Sequence, residues 1–228
     1  MIRDGGCRLY VFDLLARKPP RTIGNKARGL RFLADKGFPV PRTHVCTWEA
    51  FEDHASGVPG VLDRIRNEFD RVLDPAKAYA VRSSANLEDS LEHSFAGQFE
   101  TILSRRGPDE IVEAVRSIWS AVDTEPVRSY LGKTGRSLAD LKMAIVVQEM
   151  VEPVLSGVSF SKNPITGLDE IVIEAVRGSG TALVQEGQTP YRWVEKWGGW
   201  IETPENSDIP LDFARRMADG TKSIARAA

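Results

Sequence analysis

Residues 79–103, YAVRSSANLEDSLEHSFAGQFETIL, decide how the rest of the chain is read. The stretch opens as a short alternating strand, with Tyr79 and Val81 on one face and Ala80 and Arg82 on the other. It breaks into a long polar segment and returns to an apolar run at Phe99, Ile102 and Leu103, so something polar is held between two ordered pieces. Arg82 is followed at once by Ser83 and Ser84, which sets a guanidinium with several N–H donors beside two hydroxyls and exposed backbone amides. That combination suits phosphate oxygens. It suits an arginine–carboxylate pair as well, because Glu88, Asp89 and Glu92 follow closely, and both readings stand at this point.

Upstream, Thr22-Ile23-Gly24-Asn25-Lys26 leads into Ala27, Leu30, Leu33 and Ala34 at helical spacing, with Gly37 as the stop. A cation in the first turn opposes the helix dipole, so Lys26 is either a solvated surface lysine or one half of an anion site made with free amides. Residues 8–16 form a short strand or a turn of helix before Pro19 and Pro20, and Pro39-Val40-Pro41 is extended. Thr43–Cys46 reads as a strand and Thr47 as the cap of a following helix. Residues 61–73 make an amphipathic helix ended by Asp74-Pro75, and Pro108-Asp109-Glu110 opens another that runs through Trp119.

Downstream, residues 144–151 are nearly continuous apolar sequence, the mark of an interior strand, interrupted by the polar pair Gln148 and Glu149. Gly157–Phe160 and Ile171–Val176 are strands joined by the turn Asn163-Pro164-Ile165-Thr166-Gly167. A hairpin turns at Gly198-Gly199, and its tryptophans at 193, 197 and 200 are read as packing. Pro210 starts a last amphipathic segment with a weak point at Gly220. Strands and helices in mixed order predict an α+β fold.

Composition narrows the function. Across 228 residues, 30 basic and 32 acidic side chains are well mixed and the net charge is −2, which is no electrostatic footprint for nucleic acid or for an anionic membrane. Phosphate chemistry must therefore be local. Cys7 and Cys46 are too few for a disulfide framework and have no metal-type spacing with each other or with His44 and His54. Without a long apolar run or a signal-peptide pattern at Met1, the expectation is a cytoplasmic protein.

Six stretches in order, IGNKARGLRFLADKGFPVP, AVRSSANLEDSLEHSFAGQFETIL, MAIVVQEMV, SGVSFSKNPITG, IVIEAVRGSG and QTPYRW, resemble the N-terminal ATP-binding domain of the pyruvate phosphate dikinase and phosphoenolpyruvate synthase family, over roughly residues 22–195. The resemblance implies one domain over 1–228 with an ATP-grasp-like fold. Its two α+β lobes, built of mixed or antiparallel sheets flanked by helices, would clamp ATP. It also implies that an ATP-derived phosphoryl group passes to a histidine on a separate domain of the same or a partner chain, and on to pyruvate or another acceptor. By the same resemblance Lys26 and Arg82 touch the ATP phosphates and are the catalytic residues. Gln148, Glu149 and Val151 form the hinge strand for adenine, and Gly97 and Gln98 form a glycine turn over the phosphates. Glu174 is the acidic position near the nucleotide, although burial beside a cation would also explain a lone strand glutamate.

The chain departs from the family's pattern in three places. Gly178-Ser179-Gly180-Thr181 replaces a stretch that ends in an acid, and Tyr130-Leu131 stands where the family has a tyrosine–arginine pair, with Arg128 as the nearest substitute. The chain also stops at Ala228, before the family's acidic magnesium segment, so Mg2+ ligands are expected beyond Ala228 and the domain is expected to be truncated. Weak ATP binding with negligible turnover follows, and the alternative is a catalytically incomplete nucleotide-binding or interaction module. His44, His54 and His93 are expected to be surface or turn histidines.

Overall fold

The computed structural model describes residues 3–4, 7–16, 18–87, 89–90, 93–94, 101–133, 135–180 and 189–228, without the side chains of 3, 4, 7, 89, 90, 93, 94, 126, 130 and 133. The chain divides into two units, Met1–Met150 and Val151–Ala228. In the first unit the order is β1 (Arg3–Asp4), β2 (Cys7–Arg8), β3 (Val11–Asp13), α1 (Gly24–Asp35), β4 (Thr43–Cys46), α2 (Trp48–Ala55) and α3 (Val61–Val72). It continues with β5 (Tyr79–Ala85), β6 (Asp89–Ser90), β7 (His93–Ser94), β8 (Thr101–Arg105), α4 (Gly107–Ser120), α5 (Glu125–Lys133) and β9 (Met143–Glu149).

Local sequence accounts for most of these boundaries. α1 stops where Gly37 adopts φ +81°, which lets the Gly37 and Phe38 N–H groups donate to the Ala34 and Leu33 carbonyls. α3 buries Val61, Ile65 and Phe69, one per turn, and ends as Leu73 turns extended ahead of Asp74-Pro75. In α4, Asp109 and Glu110 sit in the first turn as the dipole favours, and Glu110 reaches back to accept the Arg106 N–H at 2.9 Å.

Five strands form one sheet in the order β3-β4-β9-β5-β8, with every neighbouring pair antiparallel. β9 lies in the middle, which is why Met143 to Val147 are all buried and all apolar. One sheet face, with Cys46, Tyr79, Val81, Met143, Ile145 and Val147, packs on residues of α2, α3 and α4 such as Ala50, Phe69, Ile111 and Ile118. The opposite face, with Val45, Ala144 and Val146, packs on Ile23, Ala27 and Leu30 of the α1 region. Each fully buried Ile or Phe here contributes about 2 kcal/mol of apolar transfer.

The second unit contains β10 (Leu155–Phe160), β11 (Ile171–Arg177), β12 (Tyr191–Lys196), β13 (Gly199–Glu202) and α6 (Leu211–Ala227). Its sheet is also antiparallel, in the order β10-β11-β12-β13. Ile171, Ile173, Ala175 and Trp193 pack against Ala214 and Ala218 of α6, small residues one helical turn apart that allow close approach. The two larger sheets, the two-stranded ladders β1-β2 and β6-β7 and the six α-helices of the described residues make an α+β fold.

Several sequence expectations change. β5 does not end at Arg82: it runs on to Ala85, and Ser83 and Ser84 are fully buried strand residues, not a polar loop with exposed amides. The hairpin turns one residue earlier than its glycine pair implies. Lys196 pairs with Gly199, so Trp197 and Gly198 form the turn with φ +53° and +83°, the left-handed pair that a tight hairpin demands. Packing holds for Trp193 but not for Trp197, which is 93% exposed under the Lys196 ammonium. His44, taken as a surface or turn residue, is a buried residue of β4, and desolvation pushes its pKa down. His54 is exposed, as expected, and the side chain of His93 lies outside the described residues. Thr47 is the N-cap of α2 by backbone conformation, yet its hydroxyl makes no capping bond. Among the described residues no helix is long and apolar enough to cross a membrane.

Candidate functional site

The site is built on the α1 face of the first sheet. Because strand side chains alternate, Ala80, Arg82 and Ser84 of β5 share a face with Ala144, Val146 and Gln148 of β9 and with Thr43 and Val45 of β4, as the pairings Arg82 with Val146 and Thr43 with Gln148 require. α1 lies on that same face. Its third residue, Lys26, donates from Nζ to the Ser83 carbonyl at 2.8 Å, one peptide beyond Arg82. Two half-buried cations that are 56 positions apart in sequence (82 − 26) are thereby brought to one strand.

An oriented chain of hydrogen bonds continues from Arg82. Its Nη1 approaches Gln148 Oε1 at 3.5 Å, Gln148 Nε2 donates to Thr43 Oγ1 at 3.0 Å, and Thr43 Oγ1 donates to the Pro41 carbonyl at 2.7 Å. Since the one threonine proton goes to Pro41, the hydroxyl must accept from the amide nitrogen, and the amide oxygen is left facing the guanidinium. The amide nitrogen keeps a second proton for a further acceptor.

The other candidate residues are placed differently. Glu149 follows Gln148, so its side chain leaves from the opposite face, across from Tyr79, while its N–H donates to the Arg42 carbonyl at 2.9 Å. The Met150 N–H donates to Ala78 at 2.8 Å, and Val151, the first residue of the second unit, is exposed and outside any strand. Glu174 is half buried in β11 and faces Arg192 across the ladder with its Oε1 3.5 Å from Nε. Arg192 also holds Glu202 at 2.6 Å, so the three form a cross-strand ion-pair row. Arg128, considered as a substitute phosphate ligand, makes a two-point pair with Asp123 at 2.6 and 2.9 Å. Gly97, Gln98, Glu88, Glu92 and Thr181 lie outside the described residues, as does the side chain of Asp89.

Residues not singled out as site residues hold the arrangement together. Ser84 Oγ donates to the Ile23 carbonyl at 2.8 Å and accepts the Ala27 N–H at 3.1 Å, so it is spent on α1 and is not a phosphate ligand. Asn25 Nδ2 donates to the Asn86 carbonyl at 3.2 Å, and Asn86 in turn accepts the Lys142 N–H at 2.8 Å. The serine pair was visible in the sequence, but its partner was not, because the bonds join positions about sixty residues apart.

Comparison with known proteins adds a family. The sequence pattern of the pyruvate phosphate dikinase AMP/ATP-binding domain matches residues 57–208, a span that includes Arg82, Gln148, Glu149, Val151 and Glu174 and leaves out Lys26. A phosphoenolpyruvate synthase of Aeropyrum pernix is 35% identical over 75% of this chain and 26% of its own length. The prodigiosin synthesizing transferase PigC of Serratia marcescens is 33% identical over 72% of this chain and 21% of its own. An uncharacterized phosphotransferase of Bacillus subtilis, YvkC, is 31% identical over 78% of this chain and 24% of its own. The chain thus spans about a quarter of the length of these curated relatives.

Proposed function

Because this chain belongs to the pyruvate phosphate dikinase AMP/ATP-binding domain family, we propose that it binds ATP with Lys26 and Arg82 on the phosphates and with Gln148 and Glu149 at the end of β9, and Val151 after it, toward the adenine. The observation that carries this reading is the placement of both cations at one strand, Lys26 on the carbonyl of Ser83 and Arg82 immediately before it. A compact, point-like ammonium and a planar, forked guanidinium suit different oxygens of a polyphosphate. Gly97 and Gln98 are assigned to a turn over the phosphates, and Glu174, held by Arg192, to the acidic position of the second unit.

In the fuller reading, the ATP-derived phosphoryl group passes in the cytoplasm to a histidine on a separate domain of the same or a partner chain, and then to pyruvate or another acceptor. The contribution of Lys26 and Arg82 is to neutralise and orient the phosphates, which is most of what protein side chains supply in phosphoryl transfer. Among the described residues, no group of three or more His, Cys, Asp or Glu side chains is placed to hold a metal ion. Magnesium takes one or two carboxylates together with phosphate oxygens and water, so in this reading it arrives with the nucleotide.

Titration calorimetry with ATP, with and without magnesium chloride, tests the proposal. The wild-type chain is expected to bind, and Lys26→Ala and Arg82→Ala are each expected to weaken binding about tenfold or more, the scale of a charge-assisted hydrogen bond. Binding that is absent from the wild type, or unchanged in Arg82→Ala, refutes it.

A further inference from the structure

We propose that Ser84 is a positioning residue for Lys26, its hydroxyl tying the first turn of α1 to β5 and so setting the spacing between Lys26 and Arg82. This rests on the reading that the two cations meet ATP phosphates together. The N-cap position of α1 is Ile23, which has no polar side-chain atom, and no side-chain capping bond forms there, so the first turn leans on another element. The fully buried Ser84 hydroxyl supplies that tie, donating to the Ile23 carbonyl at 2.8 Å and accepting the Ala27 N–H at 3.1 Å, the two groups that the first i→i−4 step of α1 sets side by side. With donor and acceptor both used, the hydroxyl has one orientation.

Two neighbouring contacts make the device specific to Lys26. The Ser83 carbonyl accepts Lys26 Nζ at 2.8 Å, and Gly24, at φ +71°, presents no Cβ where one would stand 1.9 Å from the Ser84 carbonyl oxygen. Ser84 lies two residues from Arg82 on the same strand face, so the first turn of α1 is registered to the very strand that carries the other cation. The spacing of the charges is thus set by one hydroxyl on a rigid strand, not by the chain that separates α1 from β5. Alanine at 84 leaves the Ile23 carbonyl and the Ala27 N–H only their own helical bond, removes the tie to β5 and frees the first turn to shift.

A double-mutant cycle on the 228-residue chain, read by ATP calorimetry, tests this. Ser84→Ala is expected to weaken ATP about tenfold when Lys26 is present, the scale of one to two buried hydrogen bonds, and to add nothing in a Lys26→Ala background. An unchanged affinity in Ser84→Ala, or the same loss with and without Lys26, overturns the proposal. A second readout needs no nucleotide: the rate at which an acetyl N-hydroxysuccinimide ester acylates Lys26 Nζ, followed by peptide mass spectrometry with exposed Lys18 as internal reference. Here the amine attacks the ester carbonyl, N-hydroxysuccinimide leaves and a proton is lost to solvent. A several-fold rise at Lys26 in Ser84→Ala supports positioning, and an unchanged ratio refutes it even if the wild type binds no ATP, a result that would sink only the nucleotide reading. If Ser84→Ala does not fold, Ser84→Cys, close in size and a weaker donor, carries both measurements.

Discussion

Gly24→Ala is expected to be far more damaging than a surface glycine substitution normally is. An ideal Cβ at Gly24 would stand 1.9 Å from the Ser84 carbonyl oxygen and 2.5 Å from its carbon, so α1 and β5 must separate by more than about 1 Å to restore ordinary contact. Three hydrogen bonds cross that gap: Ser84 to Ile23, Ala27 to Ser84, and Lys26 to Ser83. At about 1 kcal/mol each they amount to roughly 3 kcal/mol. A left-handed alanine at φ +71° adds about 1 kcal/mol, partly offset by the smaller entropy of its unfolded chain. The sum, about 4 kcal/mol, is a large share of a typical domain's stability. Gly37→Ala is the control, since Gly37 has φ +81° but nothing within 4 Å of its built Cβ, so only the strain of about 1 kcal/mol remains. Urea unfolding followed by far-ultraviolet circular dichroism compares the two, with the slope checked for a change in cooperativity. Equal losses in the two variants would refute the reasoning, because the clash would then have been relieved without cost to the α1 contacts.

Three further predictions concern Glu68 and Gly220. Glu68 is buried and accepts the Tyr10 and Val11 N–H groups at 2.9 and 2.7 Å, so Glu68→Ala should destabilise the first unit by about 3 kcal/mol in a urea titration. Burial is the largest influence on its carboxyl and raises its pKa, against the downward pull of the two backbone bonds. A raised folded pKa contributes stability that is present below the unfolded value, 4.5, and lost as pH rises through the folded value. The stability of wild type relative to Glu68→Gln should therefore be greater at pH 4 than at pH 7, and a difference that grows toward neutral pH would count against it. In α6, Gly220 sits in an unbroken helix with nothing within 4 Å of its built Cβ, so Gly220→Ala should raise stability by about 1 kcal/mol, read as a higher midpoint in thermal unfolding. A lower midpoint would mean that the helix is held by something a methyl group disturbs.

Local chemistry made much of this chain legible from its residues. The apolar run at 143–147 announces a central strand, the spacing of Val61, Ile65 and Phe69 a one-sided helix, and Gly37 a helix end, because each depends on neighbours within a few positions. Strand alternation even separates Gln148 from Glu149, although the pair reads at first as one polar unit. What tertiary structure alone decided is who partners whom. Ser83 and Ser84 look like an exposed phosphate loop until β5 is seen to continue and α1 to take the Ser84 hydroxyl. Glu174 looks like a free acid until the β11–β12 register sets Arg192 opposite it. The turn at Trp197-Gly198, not Gly198-Gly199, is fixed by how β12 and β13 pair, and a strained tryptophan is accepted there. Hydrogen bonds and ion pairs between elements tens of residues apart have no period and no spacing in the sequence. They exist only once the sheet has set which residues stand side by side.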